Sequence, residues 1–147
     1  MASSGTHRAL VLDANILIRG VLGRRVRSLL EQHAPQVDFL APDIAFTEAA
    51  RYLPEILARR DHDPGLAIST LDYLREFVRV VELPIYEPFR TLARERLQGQ
   101  DPDDWPVLAC ALALDCPIWT EDRDFFGVGV PTWKTARVEI FLSPAGA

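Results

Sequence analysis

The 147-residue chain has only two cysteines, Cys110 and Cys116, and neither stands in a Cys-x-x-Cys or Cys/His arrangement. A disulfide scaffold and a zinc site of that kind are excluded, and two reduced thiols in a cytoplasmic protein are expected. Histidine is scarce as well: His7, His33 and His62 are scattered without ligand spacing, and each reads as a solvated surface group. No apolar run is long enough to span a membrane. The stretch from Ala9 to Ile18 is interrupted by Asp13 and Asn15 before it could serve as a secretory signal. Internal repeats, low-complexity tracts and linkers are also missing, so a single domain is expected over residues 1–147, with a flexible N-terminus at 1–7. Basic residues are outnumbered, 16 against 21 acidic, and the net charge of -5 argues against coating a phosphate backbone by overall attraction. What is present is a 48% hydrophobic composition, enough for one globular domain with a full core.

Arg8 to Asp13 (RALVLD) is a nearly continuous apolar run closed by a carboxylate. That is the pattern of a buried parallel strand whose carboxyl end opens onto a cleft. Arg24 to Ala34 sets Val26, Leu29 and Leu30 at helical spacing beside Arg24, Arg25 and Arg27. Asp38 to Ala41 is a short strand, and beyond Pro42, Asp43 can cap a helix carrying Ile44, Glu48 and Tyr52 on one side. Pro54 is expected to break or kink that helix, with a second segment continuing to Arg60. A helix over Leu66–Phe77, a strand over Val78–Leu83, a loop bracketed by Pro84 and Pro88 and a helix over Phe89–Leu97 follow. Trp105 to Leu114 is an alanine- and leucine-rich helix that Asp103 or Asp104 can cap. Pro117 to Thr120 is a strand ending in the acidic turn Glu121–Asp124. Val130 to Lys134 is a last strand-like piece before an apolar end at Val138–Leu142. Strands alternating with helices predict an α/β fold of three layers, α/β/α, with a central, mostly parallel sheet.

Ligand sites of open parallel sheets lie beyond the carboxyl ends of the strands. Asp13 and Asp122 fall at such ends, and Glu48 and Asp104 fall near the starts of helices that open toward the same side. Each alone has an ordinary structural reading as a cap, a solvated helix charge, a dipole partner or a turn residue. Four carboxylates in one cleft would repel one another unless a cation neutralised them. Hard oxygen ligands of this type select magnesium or manganese rather than zinc. No histidine, serine or cysteine stands beside these motifs, which disfavours covalent catalysis.

Three segments carry a resemblance: LDANILI (Leu12–Ile18), FTEAA (Phe46–Ala50) and DWPVLACALALDCPIWTEDRDF (Asp104–Phe125). Through them the chain resembles the PIN-domain nucleases, and among these the VapC-like ribonucleases of toxin-antitoxin pairs, over nearly its whole length. The resemblance implies a metal-binding catalytic set of Asp13, Glu48, Asp104 and Asp122, with Asn15 and Thr120 as polar companions. Asp124 matches either an auxiliary acid or a turn cap. Pro106 departs from the family pattern, and the Asp101-Pro102-Asp103-Asp104 cluster leaves Asp103 as the alternative third acid. Implied too are one or two Mg2+ or Mn2+ ions, hydrolysis of RNA phosphodiester bonds, a homodimer, and a small antitoxin whose basic or aromatic segment fills the acidic cleft. Phosphate contacts would fall to Arg24, Arg25 and Arg27, to Arg51, Arg59 and Arg60, or to Arg123, although a solvated helix face is the commoner role of any one arginine. Trp105 and Trp119 flank site residues and are expected to pack in the core.

Two rival readings follow from the same residues. A phosphorylatable receiver-type domain also gathers aspartates around magnesium and needs a lysine late in the sheet, for which Lys134 is the one lysine available. It also needs an adjacent acidic pair after the first strand, where this chain has Asp13-Ala14-Asn15. The other rival is a PIN module that binds nucleic acid or protein without catalysis; the presence of all four acids argues against it.

Overall fold

The computed structural model describes residues 8–61 and 63–143. The expected flexible N-terminus, with His7, and the residue His62 lie outside the described residues. The chain runs β1 (Arg8–Leu12), α1 (Ala14–Leu22), α2 (Arg24–His33), β2 (Val37–Pro42), α3 (Asp43–Arg59), α4 (Pro64–Leu74) and β3 (Val78–Val81). It continues through α5 (Leu83–Tyr86), α6 (Arg90–Arg96), α7 (Trp105–Leu114), β4 (Ile118–Trp119), β5 (Thr132–Trp133) and α8 (Val138–Leu142), with short 3-10 turns at Glu87–Phe89, Pro102–Asp104 and Arg123–Phe125. The five strands pair in the order β3-β2-β1-β4-β5, every pair parallel. No helix among the described residues is long and apolar enough to cross a membrane.

Side-chain alternation along β1 divides the core. Leu10 and Leu12 join Phe39, Trp119 and the apolar faces of α1–α4 and α8, whereas Val11 joins Leu40, Ile118 and α5–α7. Helix α7 lies against the second of these layers with Val107, Leu108, Ala109, Cys110 and Ala111 all buried, which accounts for its almost purely apolar composition. Both thiols are free and buried in this layer. Burial pushes the Cys116 thiol up to about 12 and that of Cys110 higher still.

Several local expectations change. The segment Ala14–Leu22, to which the residue pattern assigns no element, forms α1, because Asp13 leaves the strand and caps it at once: Asp13 Oδ1 accepts from Ile16 N–H at 3.0 Å. Helix α3 runs unbroken through Pro54, which therefore removes one interior hydrogen bond without ending the helix. Strand β3 stops at Val81, and the Pro84–Pro88 segment is not an open loop. Leu83–Tyr86 and Glu87–Phe89 are short helical turns, with Pro84 and Pro88 at first-turn positions that need no amide donor. Asp104 occupies the cap position of α7 but makes no side-chain cap bond, and the apolar end at Val138–Leu142 is a short helix. His33 is buried rather than solvated, because Val26, Leu29, Leu30 and His33 share the inward stripe of α2.

Asp43 fastens the α5 turn to the start of α3. Its Oδ2 accepts from Leu83 N–H at 3.2 Å and its Oδ1 from the buried Tyr86 hydroxyl at 2.5 Å. Substituting Asp43→Ala strands that hydroxyl, and a loss of about 1–3 kcal/mol in urea unfolding is expected. An unchanged unfolding midpoint would show that water replaces the carboxylate.

Candidate metal centre

Beyond the carboxyl ends of β1 and β4, where the strand order reverses, lies a cleft of about 200 Å³. Asp13, Asn15, Glu48, Asp103, Asp104 and Asp122 line it. Four segments supply its acids and Asn15: the β1–α1 junction brings Asp13 and Asn15, α3 brings Glu48, the stretch entering α7 brings Asp103 and Asp104, and the stretch leaving β4 brings Asp122.

Asp13 is the most enclosed of these groups, at 6% exposure. Its second oxygen accepts from the Thr120 hydroxyl, itself wholly buried, and that same hydroxyl oxygen accepts from Asp122 N–H at 2.9 Å. Thr120 thus ties the acid after β1 to the acid after β4. Asp122 in turn caps the Arg123–Phe125 turn, its Oδ1 accepting from Asp124 N–H at 2.9 Å. On the other side Asp101 caps the Pro102–Asp104 turn, accepting from Asp103 N–H at 3.0 Å, while Asp101 N–H approaches Asp124 Oδ2 at 3.4 Å. These turns bring carboxylate oxygens of Asp104, Asp122 and Asp124 to within 4.8 Å of one another. Asp103 lines the cleft outside that cluster, as do Asp13 and Glu48.

Crowded like charges raise proton affinity. Burial pushes the Asp13 carboxyl up to about 6 against the pull of the Thr120 and Ile16 hydrogen bonds, and the charge on Asp122 adds to the rise. Burial, followed by the charges of Asp122, Asp101 and Asp124, pushes Asp104 up to about 7. Glu48 is also raised by burial, with Arg51 acting in the opposite sense. The ion pairs Arg25–Glu139 and Arg75–Asp72 leave the cleft acids untouched. Three carboxylates spanning 4.8 Å can share a hard cation, whose oxygen ligands stand at about 2.0–2.6 Å.

The arginines sort by distance. Arg24, Arg25 and Arg27 follow Asp13 closely in sequence, yet α1 carries the chain roughly 13 Å away before they begin, at about 1.5 Å per residue. There Arg25 pairs with Glu139, and Arg27 donates to the Val21 carbonyl. Arg59 and Arg60 stand at the far end of α3, whereas Arg51 lies about one turn beyond Glu48, close enough for its charge to act on that carboxylate. Trp119 is fully buried, and Trp105 packs between Tyr86 and Arg90, with 5.6 Å between the ring centroids and 5.0 Å from the Arg90 guanidinium to the indole. Tyr52, which no motif marks as a site residue, lines the cleft with Ile18 and Ile44. Its signal is the i, i+4, i+8 spacing of Ile44, Glu48 and Tyr52, which by itself specifies a helix face and nothing more.

The PIN domain family profile matches residues 11–143. Among solved structures, VapBC2 from Rickettsia felis bound to a DNA fragment from its promoter aligns at 14% identity and a TM-score of 0.67, covering 86% of this chain and 98% of that one. PAE2754 from Pyrobaculum aerophilum aligns at 17% identity and a TM-score of 0.69, covering 93% and 90%. A toxin-antitoxin complex from Klebsiella pneumoniae aligns at 19% identity and a TM-score of 0.60, covering 86% and 97%. At these identities the likeness is one of fold. No functionally curated protein sequence matches the chain.

Proposed function

The chain belongs to the PIN domain family, and from that membership we propose that it is a divalent-metal-dependent endoribonuclease, the toxin of a toxin-antitoxin pair. The observation that carries the reading is the convergence of Asp13, Glu48, Asp104 and Asp122 on one cleft, with Asp124 beside the last two. Family membership leaves no place for a receiver-type domain.

Asp104, Asp122 and Asp124 are the groups that would hold the first Mg2+ or Mn2+, with Asp13 and Glu48 closing the cleft around it or taking part in a second site. A bound divalent ion supplies charge neutralisation at a scissile phosphate and acidifies water. The chain's own residues do the positioning. Thr120 fixes the Asp13 side chain by donating to it, while its oxygen accepts from the Asp122 backbone amide and so anchors the chain on the β4 side. Asn15, exposed at the second residue of α1, offers an uncharged amide where a phosphate would otherwise meet only carboxylates. Among the described residues no cysteine or histidine lines the cleft, which favours water over a thiol or imidazole as the nucleophile.

The structural relatives, a VapBC pair and a toxin-antitoxin complex among them, support a small protein antitoxin as partner. The negative cleft suits a basic or aromatic segment of that partner. A homodimer in the cytoplasm completes the proposal. Purified protein incubated with single-stranded RNA in Mn2+ or Mg2+ is expected to yield discrete fragments that EDTA suppresses. Absence of cleavage with either metal, or cleavage indifferent to EDTA, would overturn the assignment. Copurification from cells expressing the neighbouring reading frame tests the antitoxin, and light scattering tests the dimer.

A further inference from the structure

One wall of the acidic cleft is apolar and open. Ile44 and Tyr52 lie on the same face of α3 with Glu48 between them, and they are 39% and 42% exposed although both line the cleft. Ile18 of α1 continues this wall. Single exposed apolar residues are ordinary on any soluble protein, but the Tyr52 ring is held in place. Arg51 Nη2 donates to the Tyr52 hydroxyl oxygen at 2.9 Å, and the guanidinium lies over the ring, 4.9 Å from its centroid. This contact restrains an exposed aromatic ring and so lowers the ordering cost of binding. The charges of Arg51 and Glu48 act on each other, so this ring borders the carboxylates.

A ligand suited to such a place has a flat apolar face and is tethered to a phosphate that the acids reach through a cation. That chemistry is a nucleobase. Resting on the ribonuclease reading, we propose that Tyr52 is the stacking platform for an unpaired base beside the scissile phosphate. Arg51 backs the ring, and Ile18 and Ile44 pack against the base. A base within a duplex is already stacked on both faces and would have to be extruded, so the platform selects single-stranded or looped RNA. Tyr52 is thus a substrate-positioning and specificity residue that leaves the chemistry to the acids.

The test uses short oligoribonucleotides carrying 2-aminopurine at successive positions, titrated with the whole protein in Ca2+ and read by the fluorescence quenching that stacking produces. Quenching is expected with wild type and Tyr52→Phe. Its loss in Tyr52→Ala and Tyr52→Leu, with binding about tenfold weaker, would support the platform. Tyr52→Leu fills the space without a ring, and unchanged circular dichroism of both variants separates stacking from folding. Equal quenching and affinity in Tyr52→Leu, or no quenching with wild type at any position, would overturn the proposal and leave the wall to a protein partner. Cleavage in Mn2+ is scored in parallel: quenching that depends on Tyr52 without cleavage would retire the nuclease reading and keep the platform.

Discussion

Asp13→Asn is expected to reduce metal-dependent RNA cleavage on the order of a hundredfold or more, while the metal-free protein stays folded and, at pH 8, becomes at least as stable as wild type. Both halves follow from the same geometry. Asparagine keeps an oxygen for the Ile16 amide and remains a good cap for α1, and its NH2 can donate to the Thr120 oxygen in place of accepting from it, so the strand-to-helix junction survives. It lacks the charge that a cation requires. The charge is also what burial penalises: the Asp13 carboxyl is raised from 3.8 to about 6, so its favourable contribution is fully present below pH 3.8 and is lost as pH rises through 6. A rise of that size corresponds to about 3 kcal/mol as a ceiling. Denaturant unfolding in EDTA at pH 5 and pH 8, beside an RNA cleavage assay, checks both. Wild-type cleavage by the variant would remove Asp13 from the site, and a variant markedly less stable at pH 8 would show the carboxylate to be structural.

Metal-free wild-type protein should lose thermal stability between pH 5 and pH 8, and Mn2+ or Mg2+ should restore more at pH 8 than at pH 5. Asp13 and Asp104 have folded values of about 6 and about 7, each above the unfolded value, so the folded state binds more protons through this window and stability falls as pH rises. Asp104 is half-buried, and screening by solvent makes its contribution smaller than its raised proton affinity alone would suggest, so Asp13 carries the firmer share. A cation competes with the protons for the same oxygens, so its affinity climbs as they leave. At a hundredfold excess over Kd it adds about 2.7 kcal/mol, provided that it binds only the folded chain. Thermal melts in EDTA and in metal across this range read the effect directly. A flat melting temperature in EDTA, or a metal effect independent of pH, would mean that the acids do not share an uncompensated cleft.

Much of this is legible from residue order. The run RALVLD specifies a buried strand, and the DWPVLACALAL segment specifies α7 with its boundaries, because continuous apolarity and a first-turn proline leave few alternatives. Placement of Asp13 and Asp122 at strand ends follows from the parallel sheet alone. Other features depend on tertiary partners. Asp43 turns Pro84–Pro88 from a loop into helical turns by gripping Leu83 and Tyr86, which lie some forty residues downstream. His33 is covered because α2 presents that side to the core. The neighbourhood of Arg24 and Asp13 in sequence dissolves once α1 is drawn out between them. Tyr52 is visible as a periodic residue, but its exposure beside the acids depends on where α1 and α3 pack.

Arg8, at the start of β1, donates to the carbonyls of Phe141 and Ser143 at the end of α8, and the acids that crowd the cleft come from positions 104–124 while β1, next to them in the sheet, precedes the other strands. Synthesis therefore makes the central strand early and its neighbour β4 late. A chain still on the ribosome has no assembled cleft until β4 and the acids that follow it have emerged.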